Sequence, residues 1–171
     1  NMFGNICITG ITPLDKYPNS KCKKYYKQCL NNIMLCLPDE KPEIECINEI
    51  YAKLCVDEYT VLNTILGPKV FVKGRKNIKI IYTANNCQQS LHSAHWEVPF
   101  CEFVLIKDIC YNECQNILDD VFIGLEHICV NEIEENFINL SLLFIICPKI
   151  CDFDYCQDCR HHCTDNPRWK D

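Results

Sequence analysis

A chain of 171 residues, 48% hydrophobic and with 16 cysteines, is long enough to build one domain around a core of its own. Its formal net charge of -6, with the densest basic run confined to "KCKKYYK" at Lys21–Lys27, excludes a nucleic-acid partner, because neutralising phosphates takes clustered Lys and Arg. The longest nearly unbroken apolar run, "FINLSLLFIIC" from Phe137 to Cys147, falls short of the roughly 20 residues that a spanning helix needs and reads as a core element.

From Asn1 to Lys21, Gly4, Gly10, Pro13 and Pro18 interrupt every periodicity, which predicts an irregular opening segment that carries Cys7, wraps the surface and is closed by Cys22. "NMFGN" lacks the charged-then-apolar pattern of a signal peptide and reads as the start of an excised luminal or extracellular piece. "KYYKQCLNNIMLCL", Lys24–Leu37, reads as a helix ended by Pro38. "KPEIECINEIYAKLC" places Ile44, Ile47, Ile50 and Leu54 near one helical face, and "DEYTVLNTIL" adds Tyr59, Leu62, Ile65 and Leu66 before Gly67-Pro68.

The period then changes. "KVFVKGRKNIKIIYT" alternates on both sides of Gly74-Arg75-Lys76-Asn77, which predicts a β-hairpin turning there. "ANNCQQSLHSAHWEVP" is a polar loop with Cys87, His92, His95 and Trp96. Cys101 to Val121 reads as the strongest helix, with Phe103, Ile106, Cys110, Cys114 and Ile117 on one broad face. "NLS" at Asn139 is formally a glycosylation sequon, but it lies in the apolar run and reads as buried or unused. The expected fold is α+β: one small disulfide-rich domain over 1–171, with helices packed on a small sheet that includes the hairpin.

Cysteine at nearly one residue in ten points to a disulfide framework in an oxidising compartment, and an even count allows complete pairing. A second reading is zinc at the closing "CQDCRHHC", where Cys156, Cys159, His162 and Cys163 are ligand types, although structural sites usually draw two pairs from separate segments. A redox use of Cys156 and Cys159 requires a preceding strand that "CDFDYCQDC" does not offer.

The chain resembles the luminal N-terminal sterol-binding domain of the Niemann-Pick type C cholesterol transporter family, and more distantly the folate-receptor and riboflavin-binding-protein family. The residues that carry this are the C-x8-C-x3-C of Cys101, Cys110 and Cys114, the closing "CQDCRHHC", "ECINEIYAKLCVDEYTVLNTIL" and the opening "FGNICITG... DKYPNSKC". A single Cys55 stands where that family has paired cysteines, and the hairpin and the "NNCQQSLHSAHW" loop look inserted. The resemblance implies pairing of Cys7 with Cys22, Cys46 with Cys110, Cys55 with Cys114, Cys101 with Cys129, Cys87 with Cys151, Cys147 with Cys159 and Cys156 with Cys163. That leaves Cys29 for Cys36.

By the same resemblance the ligand is a sterol or similar lipid, held in an apolar cavity that ends in one or two polar side chains. Asn19 and one of Glu58, Tyr59 and Thr60 fall nearest to the family's polar contacts. Leu62, Phe100, Phe103 and Ile106 are the wall candidates, and Trp96 beside His95 is a candidate for the pocket mouth. The implied partners are the sterol, the remaining membrane domains of a parent transporter and a soluble sterol carrier, with the domain in an organelle lumen or outside the cell. The alternatives are a folate-receptor-like module that recognises another protein, or a vitamin binder, for which Trp96 and Trp169 make a thin aromatic platform. No cofactor and no catalysis are expected, because no Ser-His-Asp or Cys-His arrangement is evident.

Overall fold

The computed structural model describes residues 4–18 and 25–150. In chain order the elements are β1 (Cys7–Thr9), a 3-10 turn (Leu14–Lys16), β2 (Lys27–Cys36), β3 (Ile44–Thr64), β4 (Gly67–Ala84), β5 (Leu91–Leu105), α1 (Tyr111–Ile117), β6 (Leu118–Ile133) and β7 (Phe137–Ile150). Sheet A has the order β1-β3-β4-β5 and sheet B the order β2-β7-β6. Among the described residues β1 on β3 is parallel and the other pairings are antiparallel. The sheets face each other across one core, to which β4 gives Val70, Val72, Ile78, Ile80 and Tyr82, and β7 gives Ile138, Leu140, Leu142, Phe144 and Ile146.

This is a β fold, which corrects the expected α+β architecture. The misleading signal has a physical origin. In β3 the ladder to β4 slips between Ile44 and Cys46 and again between Ile47 and Glu49. Each β-bulge inserts one residue, so the buried positions Ile44, Ile47 and Ile50 recur every third residue and imitate a helical face. β6 repeats the effect with three bulges, which put Val121, Leu125 and Ile128 inward. In β2 and at Leu37 just after it, the inward set Cys29, Leu35 and Leu37 is obscured because the outward Leu30 and Met34 are apolar too. The stretch read as one helix from Cys101 to Val121 is the end of β5, the short α1 and the start of β6.

The hairpin expected at Gly74–Asn77 is instead the middle of one continuous strand. The actual turn joins Thr64 to Gly67 through Ile65 and Leu66, and Gly67 takes φ +111°, a left-handed conformation that favours glycine. Gly74 keeps the strand unbroken for a packing reason. The Phe100 ring lies over it, so a Cβ there would come within 2.6 Å of the ring and 2.3 Å of the Cys55 carbonyl oxygen. The next inward residue, Lys76, is buried as well.

The disulfide framework is also corrected. Cys7, Cys29, Cys36, Cys46, Cys55, Cys87, Cys101, Cys110, Cys114 and Cys129 stand as thiols. Cys29 and Cys36 lie on one strand, about 23 Å apart at the usual rise. Cys101 points outward from sheet A and Cys129 outward from sheet B, so the two layers separate them. Cys46 and Cys55 are some 25 Å or more apart along β3, while Cys110 and Cys114 are one helical turn apart, so the two expected bonds cannot both form. Cys22, Cys151, Cys156, Cys159 and Cys163 lie outside the described residues.

Three outcomes follow from this packing. Titration of the denatured, unreduced protein should return at least ten thiols per chain. Gly74→Ala should cost about 1–3 kcal/mol through overpacking, read as a lower midpoint in denaturant. Burial pushes the Cys29 thiol from 9.0 up to about 11, with Glu102 adding to the rise, and burial pushes Cys114 to about 11 as well. Both folded values are raised, so their stabilisation is complete below about pH 9 and is lost as the pH rises toward 11. Cys29→Val and Cys114→Ala should each flatten the fall in melting temperature over that window relative to the unmodified protein. An unchanged slope in both would show that these thiols are not what titrates.

Candidate functional site

On the side of the molecule where β2 of sheet B lies beside β5 of sheet A, polar and aromatic side chains join the two sheets. Lys76, on β4, is the one buried charged residue among those described. Its Nζ donates to Asn31 Oδ1 on β2 at 2.5 Å and stands 5.4 Å from the Phe144 ring centroid and 5.7 Å from that of Phe100. Phe100 and Phe144 meet edge to face at 5.5 Å, so the cation sits beside the aromatic contact that joins the two sheets. Burial lowers the Lys76 pKa, while Glu102 and Cys29 act to raise it.

Three further contacts hold β2 against sheet A. Lys27 Nζ pairs with Glu102 Oε2 at 2.9 Å and lies 4.2 Å over the Phe103 ring. The Trp96 indole N–H donates to the Cys36 carbonyl at 2.8 Å, and the Tyr25 hydroxyl donates to the Lys107 carbonyl at 2.5 Å. The segment from Tyr25 to Cys36 is therefore fastened by side chains, whereas among the described residues the backbone of β2 pairs only with β7.

Backbone polarity along β2 follows from one bond. Leu37 N–H donates to the Asn136 carbonyl, continuing the β2–β7 register, so the odd-numbered residues turn their amides toward β7. The even-numbered residues Gln28, Leu30, Asn32, Met34 and Cys36 turn theirs away from it. Among the described residues only the Trp96 indole occupies that outer side, at Cys36.

An open strand edge is a template for another strand, and folded proteins usually guard it. The other three edges here are guarded. β1 is only three residues long. β5 carries Pro99, Glu97 and Glu102. β6 has three bulges and acidic residues, and its Leu125 exchanges hydrogen bonds with Thr12. β2 has no register shift, no proline and no charge from Gln28 to Cys36, and it exposes Leu30 (71%) and Met34 (58%). The sequence signal for it was that uncharged run, which a helical reading turns into an ordinary surface face.

The expected ligand contacts do not converge. Asn19 lies outside the described residues. Glu58, Tyr59, Thr60 and Leu62 are exposed on β3, and the Tyr59 hydroxyl donates to the Asp119 carbonyl. Phe100 is buried, whereas Phe103, an odd number of residues further along the same strand, points to the other face and is 43% exposed beneath Lys27 and Lys69. Ile106 is core, with its N–H donating to the Pro68 carbonyl. Trp96 is half-buried over Ile78 rather than at a pocket mouth. The "CQDCRHHC" motif and Trp169 lie outside the described residues, and among those described no group of three or more His, Cys, Asp and Glu is placed to hold a metal ion.

Comparison with known proteins points away from the transporter and receptor families. The family model described as "SipL, SPOCS domain" matches residues 43–130, the segment from the start of β3 through most of β6. No curated protein and no solved structure matches the chain. The resemblance to the Niemann-Pick type C and folate-receptor families is thereby overturned, together with the sterol, vitamin and receptor functions it implied. Its C-x8-C-x3-C motif is divided here between β5 and α1 rather than carried on one helix. With just over half of its 171 residues matched, the chain belongs to the SipL SPOCS domain family.

Proposed function

We propose that this domain is a non-catalytic assembly module that joins other polypeptide chains by strand addition along the outer edge of β2. The observation that carries the reading is the mounting of that strand: a straight, uncharged edge whose even-numbered amides face outward, tied to its surroundings by Lys76, Lys27 and Tyr25, with the Trp96 indole at its Cys36 end. An extended segment docked there gains main-chain hydrogen bonds for affinity and side-chain contacts with Leu30 and Met34 for selectivity. Pre-ordering of the edge lowers the entropy that docking must overcome.

Arg75 and His92 are engaged within the fold. Arg75 Nε donates to both carboxylate oxygens of Asp57 at 2.9 and 2.8 Å, and its Nη1 donates to Glu97 at 2.7 Å, which raises its pKa. His92 Nε2 is 3.0 Å from Ser90 Oγ.

Asn32→Pro is the decisive variant. It removes an outward N–H and leaves the β7 ladder whole, so an edge strand tolerates it. Random extended peptides selected on dilute wild-type domain should bind the Asn32→Pro variant at least tenfold more weakly, with circular dichroism and melting temperature showing a folded protein. Peptides that bind both proteins equally, or a library that yields no binders, would sink strand addition.

A further inference from the structure

Resting on that reading, we infer that the occupant of the β2 edge is a second copy of this chain, paired antiparallel about a two-fold axis through Asn32. In an antiparallel pair, residues directly opposite share a face, and in a two-fold pair their numbers sum to a constant. Centring on Asn32 sets Leu30 opposite Met34 of the other copy, Tyr26 opposite Pro38, and Asn32 opposite itself.

All of these lie on the outward-facing, even-numbered set, and the match is self-complementary. Leu30 and Met34 are 71% and 58% exposed, and each meets the other. The two Asn32 amides fall side by side; each Nδ2 donates to Ser141 Oγ of its own chain at 3.3 Å, and its second N–H and Oδ1 are left for the other copy. Centring on Asn31 instead would set Leu30 against Asn32 and leave Met34 opposite Gln28, which wastes both apolar side chains.

The main-chain ladder runs through the Leu30, Asn32 and Met34 amides and stops at Cys36, whose carbonyl is already held by Trp96. The two three-stranded sheets B become one continuous sheet of six strands. So short a contact belongs with small, reversible interfaces, so the dimer forms as concentration rises rather than being obligate.

Sedimentation equilibrium over a concentration series tests this, using a charge exchange. Leu30→Glu and Met34→Lys should each drive the protein to monomer at concentrations where wild type is dimeric. The double variant L30E/M34K should recover the dimer, because each introduced carboxylate then faces an introduced ammonium group of the other copy, and high salt should weaken it. Within one chain those positions are about 13 Å apart along β2, so no internal ion pair can mimic the rescue. Melting temperatures establish that each variant is folded.

Monomeric wild type at every concentration would overturn self-pairing, and so would a dimer that survives Asn32→Pro. A dimer abolished by Asn32→Pro but not restored in L30E/M34K would overturn the Asn32-centred register. A monomeric wild type that still binds selected peptides through Asn32 would remove the second copy as occupant and leave strand addition standing, with residues 151–171 or another protein's extended segment taking the edge. Failure of both peptide binding and dimerisation would remove the two together.

Discussion

The structure depends on a cation placed between two β-sheets. Lys76 occupies a position of β4 that the alternation of Val70, Val72, Ile78 and Ile80 assigns to the interior. Removing that ammonium group from water carries a large desolvation cost, which the Asn31 amide, the Phe100 and Phe144 rings and the nearby Glu102 offset. Such a buried charge adds little net stability compared with an apolar side chain, but it is strongly directional. Only a β2 that presents Asn31 opposite Lys76 satisfies it. The contact therefore fixes where β2 sits along sheet A and, through the straight ladder to β7, the placement of sheet B.

The two open sides of the sandwich are closed by different means. On one side the opening segment runs from β1, paired with β3, to Thr12, which gives and accepts hydrogen bonds at Leu125 of β6. The bulges of β6 and the brevity of β1 leave little straight edge there. On the other side no backbone among the described residues bridges the sheets; side chains of Lys27, Lys76, Trp96 and Tyr25 do so instead. That arrangement secures β2 while leaving its outer amides without a backbone partner among the described residues, and the proposed strand addition would use this asymmetry.

Gly74 and Phe100 support the same region. The ring of Phe100 fills the space that a Cβ at Gly74 would take, which lets it reach Phe144 across the core. A glycine inside a strand is usually a weakness, but here the cross-strand aromatic covers it. The combination of Gly74, Arg75, Lys76 and Asn77 looks like a turn in the sequence because Gly and Asn favour turns and the run is polar between two alternating stretches. Each has a separate partner in the fold: Phe100 over Gly74, Asp57 and Glu97 on Arg75, Asn31 on Lys76, and the Cys55 sulfur at 3.9 Å from Asn77 Nδ2.

Core composition and the strict period of two in β4 and β7 are written in the residues alone: even-numbered residues from Val70 to Ala84 and from Ile138 to Ile146 are all buried, and that phase never slips across Gly74-Lys76. The acidic balance and the core role of Phe137–Cys147 were equally legible. The class of the fold was not, because bulges are set by pairing with a neighbouring strand, and in β3 and β6 they convert a period of two into spacings of three and four that belong to helices. The unpaired edge of β2 was hidden for a related reason. Whether a backbone amide is free depends on which strands lie beside it, and that is decided by the tertiary arrangement that puts β7 on one side of β2 and, among the described residues, only the Trp96 indole on the other.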